Sequence, residues 1–110
     1  MRKAHTYSKS ALDAAQLLGL EIARGRRARQ WKAEELAERA GISRNTLYAA
    51  ERGSPTVGIG LMFELAVLVG IDLFGAGPEQ LSDMVARSRE RLALLPASVH
   101  DRRRELPNDF

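Results

Sequence analysis

Arginine is the commonest charged side chain in this 110-residue chain. Fourteen arginines stand against three lysines, and a planar guanidinium fork can make paired hydrogen bonds to phosphate. Residues 1–30 carry seven bases and two acids, whereas residues 54–86 carry four acids and no base, so positive charge collects toward the ends of the chain. Other reactive types offer little. There is no cysteine, which excludes disulfides, thiolate zinc sites and cysteine nucleophiles and suits a reducing compartment. The two histidines, His5 and His100, lie near opposite ends and do not make a metal site. Glu34, Glu35 and Glu38 are close in sequence, but a solvated carboxylate face accounts for them without acid–base catalysis. Gly58-Ile59-Gly60 begins like a dinucleotide fingerprint, yet its third glycine is missing and no strand precedes it. Neither a Walker glycine loop nor a Gly-x-Ser-x-Gly elbow occurs. The sequence reads as a non-enzyme, with no cofactor and no metal.

The elements that must position the arginines follow from periodicity and from stop signals. Apolar residues make 45% and charged residues 28% of the chain, the balance of a globular domain rather than a disordered one. The longest apolar run, residues 65–69, is far short of the ~20 residues that span a bilayer. No apolar stretch of the signal-peptide kind follows Met-Arg-Lys, so a cytoplasmic location without membrane contact is expected. Residues 1–8 are expected to form a flexible arm. Ser8 or Ser10 can cap a helix, the latter with Asp13 in capping-box position, and Leu12, Ala15, Leu18, Ile22 and Ala23 then recur at helical spacing over about residues 9–28. A second helix opens at Lys32 or Ala33 and stops at Gly41. A third, Arg44 to Glu51, is capped by Ser43 and ended by Gly53. Residues 61–69 read as a helix that is apolar on nearly every side, which predicts burial on two sides, often by a partner chain, with Gly70 past its end. Pro78 starts a last helix, in which Leu81, Met84, Val85, Ser88, Leu92 and Leu95 repeat at three-and-four spacing. No segment alternates as a strand.

Residues 33–52, AEELAERAGISRNTLYAAER, have the features of two short helices meeting at a sharp angle. Ala37 is small enough for their close approach, and Gly41 accepts the positive φ of the turn. Leu36, Ala40, Ile42, Leu47 and Ala50 are placed to pin the pair to a core. Arg44, Asn45 and Tyr48 then project from the outer face of the second helix. This is a helix-turn-helix pattern, and the segment from about residue 17 to 74 resembles the Cro/phage-repressor family, the XRE-type regulators. Glu51-Arg52-Gly53 and the apolar helix ending at Gly70-Ile71 extend the resemblance.

The resemblance implies an all-α fold: a five-helix phage-repressor-like domain over residues 9–75 with a long first helix, followed by an additional C-terminal helix over residues 76–96 and a polar tail over 97–110. In that family the second helix of the pair lies in the major groove. Arg44 and Asn45 then fall at positions that read guanine and adenine, with Ala49 offering a methyl group and Tyr48 beside them. Lys32, Ser43, Thr46 and Arg52 fall where phosphates are touched, contacts that set register without reading sequence. Arg26 and Glu51 match a partly buried ion pair of the family and are expected to meet. Trp31 takes the place of a leucine-like core residue.

The basic stretch over residues 24–29 reads either as a solvated face or, beside the motif, as phosphate-facing for one or two of its arginines. The stripe Leu81, Met84, Val85, Leu92 and Leu95 reads as the seam of a homodimer rather than as intramolecular core. Arg102, Arg103 and Arg104 read as a solvated tail rather than a phosphate cluster. The implied function is sequence-specific binding of double-stranded DNA at a near-palindromic operator by a dimeric transcriptional repressor. The long first helix, the appended helix and the polar tail further resemble HipB-type antitoxins, which repress their own operon and bind a HipA-like kinase toxin. The alternative is a helical protein-interaction module whose DNA binding is incidental.

Overall fold

The computed structural model describes residues 5–98. Residues 1–4 of the arm, most of the tail, His100 and the three arginines at 102–104 lie outside them. The fold is all-α, with five helices among the described residues, in the order α1 (Lys9–Ala28), α2 (Ala33–Ala40), α3 (Arg44–Glu51), α4 (Ile59–Leu68) and α5 (Pro78–Ala93). The chain divides into two compact units, Met1–Gly75 and Ala76–Phe110.

In the first unit, Ile22 of α1, Leu36 of α2, Leu47 of α3 and Leu65 of α4 are fully buried against one another. Ala37, Ala50, Met62, Ala66 and Val69 fill the space between them. One aliphatic residue from each helix thus ties four helices to one core, and deleting any of these side chains would cost about 2–5 kcal/mol.

Three of the helices end in one way. Gly41 turns left-handed at φ 72°, and the Ile42 N–H donates back to the Ala37 carbonyl at 2.9 Å. Ser54 returns to Ala49 past Gly53, and Ile71 to Ala66 past Gly70, at 3.0 and 2.9 Å. This closure satisfies carbonyls that the helix leaves without partners. Gly53 carries a second constraint. A Cβ there would collide with the α1 backbone at Gln16, so the residue must be glycine for space as well as for its φ of 74°. At the end of α1 the left-handed residue is Gln30, φ 61°, with the Trp31 N–H returning to the Arg26 carbonyl at 3.1 Å.

The crossing of α1 over α3 depends on Gly19. A Cβ at this position would lie 2.6 Å from the carbonyl oxygens of both Ala50 and Glu51, so only a bare α-carbon lets the helices approach this closely. At the start of α1, Ser8 is the cap, accepting from the Ala11 N–H at 3.2 Å. Ser10 lies inside the helix, and Asp13 pairs with Lys9 at 3.0 Å instead of closing a capping box.

Two further expectations are corrected. Helix α4 starts at Ile59, two residues before the expected Leu61, with Gly58 as its extended N-cap. Within the first unit Met62, Leu65 and Ala66 of α4 face the core, while Ile59 and Val67 are 70% and 51% exposed. In the second unit, Pro78 occupies the first turn of α5, and the Gly77 N–H donates to Gln80 Oε1 at 2.9 Å. The helix ends at Ala93, so Leu95 falls just beyond it. No residue of α5 is buried. Leu81 and Met84 are half-buried, and Val85, Leu92 and Leu95 are exposed.

Candidate nucleic-acid interface

Helix α3 has one face fixed and one face open. Leu47 and Ala50 are fully buried, whereas Arg44 and Asn45 are exposed and Tyr48 is 41% exposed. Positions 44, 45 and 48 stand on one side of a helix because a step of three or four residues is about one turn. Ala49 is half-buried, so only part of its methyl surface is open to a ligand.

The start of α3 is closed by its own side chains. Ser43 Oγ accepts from the Thr46 N–H at 3.1 Å and donates to Thr46 Oγ1 at 3.0 Å. The Ser43 hydroxyl is therefore occupied in the cap, and Thr46 is the hydroxyl of the two whose proton can turn outward. Arg52, just past α3, and Lys32, just before α2, are both exposed. Lys32 is the N-cap of α2 and makes no side-chain capping bond; Glu34 and Glu35 in the first turn supply the negative charge that this helix end favours.

The opposite end of α3 is anchored. Arg26 Nε donates to Glu51 Oε2 at 2.7 Å, and Nη2 donates to Oε1 at 3.1 Å. Arg26 Nη1 donates to the Trp31 carbonyl at 2.9 Å. The two side chains are only 10% and 11% exposed. The hydrogen bonds to Glu51 raise the Arg26 pKa above its ordinary value, against the smaller opposing effect of burial. Stability linked to a raised base is present below the unfolded pKa and lost only as pH rises past the folded one. The guanidinium thus stays charged throughout the neutral range.

The basic stretch of α1 is shared among several tasks. Arg24 pairs with Glu21 at 2.6 Å, Arg26 is buried, Arg27 is exposed, and Arg29 lies over the Trp31 ring with Cζ 5.5 Å from its centre. Arg39 covers the same ring at 4.1 Å. Trp31 packs half-buried against the core, so the residue is part core and part arginine platform.

Helices α2 and α3 thus form a short pair joined at the left-handed Gly41, with the second helix open along its N-terminal half. Residues 22–74 match the helix-turn-helix family model. The match begins in the middle of α1, runs through the helix-turn-helix pair and α4, and ends at Phe74. It supports a DNA-binding regulator. No curated protein and no solved structure matches the chain. Among the described residues no helix is long and apolar enough to cross a membrane.

Sequence reasoning missed a contact that joins the two helices of this unit. Arg44 Nη1 donates to Glu34 Oε2 at 3.1 Å, across the turn between α2 and α3. Nothing in the local pattern marks a pair ten residues apart on different helices.

Proposed function

We propose that the protein is a sequence-specific transcriptional repressor that binds double-stranded DNA as a homodimer. The observation that carries this reading is the open N-terminal half of α3, where Arg44, Asn45 and Tyr48 stand exposed on a helix whose other face is locked into the core. In a major groove, Arg44 can donate to guanine O6 and N7, and Asn45 can pair with adenine. Lys32, Thr46 and Arg52 are disposed for phosphates. Ser43 supports them as a cap, its hydroxyl already engaged. Such contacts release counterions, so affinity falls steeply with salt.

A homodimer is supported by α5. Its apolar residues Leu81, Met84, Val85 and Leu92, continued by Leu95 just past its end, recur at steps of three, four and seven, the spacing of a two-helix seam. None of them is buried within one chain. Two copies would present two α3 helices to half-sites about one helical turn apart, near 34 Å. Pairing with a HipA-like kinase toxin is a narrower proposal, resting on the outline of the chain outside residues 22–74. A kinase-like gene beside this one supports it, and the absence of such a gene removes it.

The test is selection of binding sites from a random duplex library at near-physiological salt, with the wild type and with the Arg44→Ala/Asn45→Ala variant. An enriched near-palindrome that disappears in the variant is expected. A folded wild type that enriches nothing overturns the repressor reading in favour of a protein-interaction module.

A further inference from the structure

The Arg44–Glu34 pair sets a carboxylate on the surface that the proposed function turns toward DNA. The pair spans the turn, joining the first residue of α3 to the first turn of α2, with its side chains 57% and 62% exposed. Glu34 also lines a shallow cleft with Lys32, Glu35 and Glu38, so acids outnumber bases beside it. An exposed ion pair of this kind contributes little to folding. Its effect on binding is different in kind, because a DNA phosphate competes with the carboxylate for the same guanidinium.

A free arginine binds phosphate anywhere along a duplex and so adds affinity without sequence information. An arginine held by Glu34 reaches a phosphate only by breaking a charge-assisted hydrogen bond, or by drawing the phosphate toward a carboxylate. Both routes are unfavourable. A guanine edge carries no net charge and presents O6 and N7 as acceptors. The remaining N–H groups of the fork can donate to it while the bond to Glu34 stays in place. The carboxylate therefore penalises random duplex more than a site with guanine in register.

We infer that Glu34 is a specificity-determining residue: it restrains Arg44 from capture by the phosphate backbone and so favours base reading over non-specific binding. This rests on Arg44 reading DNA as proposed above.

Glu34→Gln keeps the size and the acceptor and removes the charge. The wild type and this variant, each alone and with Arg44→Ala, are titrated with the selected operator and with random duplex of equal length over a salt series. In the single variant, random duplex binds more tightly, and its salt dependence steepens by roughly one unit. The operator-to-random affinity ratio falls on the order of three- to tenfold, the size of one weakened base contact, and the guanine preference at the Arg44 position broadens. With Arg44→Ala, Glu34→Gln leaves base preference unmoved. A purely structural role would shift the folding midpoint and leave these ratios alone. An unchanged ratio and preference in Glu34→Gln overturns the inference while the DNA reader stands. A wild type that selects no sequence overturns both.

Discussion

At its C-terminal end α3 is held by Glu51 and Arg26 through two hydrogen bonds, nearly out of water, with a third from Arg26 to the chain at Trp31. At its N-terminal end it is held by Arg44 and Glu34 through one hydrogen bond, with more than half of each side chain in solvent. The residue types are the same and the polarity is reversed. Both charges on α3 oppose its own dipole, which favours acids at the start and bases at the end. Each is compensated by a partner on another helix, so the charges of α3 are arranged for tertiary contacts rather than for the helix itself. The buried pair fixes where the helix lies. The exposed pair can be exchanged for another ligand at small cost.

The comparison is sharpest when each end is broken in turn. Glu51→Ala leaves a buried guanidinium with no carboxylate and is expected to lower unfolding free energy by about 3–5 kcal/mol, measured by urea titration. If the loss is below about 1 kcal/mol, the surface range, the two ends are alike and the contrast fails. Gly19→Ala acts on the same anchored end by pushing a methyl group into the Ala50 and Glu51 carbonyls. It is expected to destabilise by about 1–3 kcal/mol despite the better helix propensity of alanine, and a stabilised variant would show that α1 can shift freely. At the open end, Ser43→Ala removes the cap and is expected to cost about 1 kcal/mol. Arg44→Ala is expected to change stability by no more than about 0.5 kcal/mol while abolishing guanine preference at one operator position, read by calorimetry and by site selection on the same preparation.

Helix boundaries were legible where the chain carries explicit punctuation. Gly41, Gly53 and Gly70 stop three helices, and Ser43 starts one, because few other residues tolerate those conformations or supply that acceptor. The end of α1 is less explicit, since Gln30 adopts a left-handed conformation that its type seldom takes. Gly19, a glycine inside an apolar helical pattern, signals close packing, but the helix it meets is set by the tertiary fold. The start of α4 is harder to read because Gly58 and Gly60, poor helix formers, flank Ile59, and the helix's uniform apolarity gives no sign that Ile59 and Val67 face outward. Within the candidate site, the exposed row on α3 follows from helical spacing, whereas the expectation that Arg26 meets Glu51 came from family resemblance. The Arg44–Glu34 contact depends on the angle between two helices, which no local pattern encodes.

The placement of Trp31 has a practical consequence. It is the sole tryptophan of the chain, its carbonyl accepts from Arg26, and two guanidinium groups lie against its ring. Emission excited in the tryptophan band, where Tyr7 and Tyr48 absorb little, therefore arises from one indole, seated at the anchored end of α3 rather than on its open face. Loss of the buried ion pair should register in that emission, while an event confined to Arg44 and Glu34 should leave it nearly unchanged: the molecule contains an optical gauge for one end of α3 and a silent reference for the other.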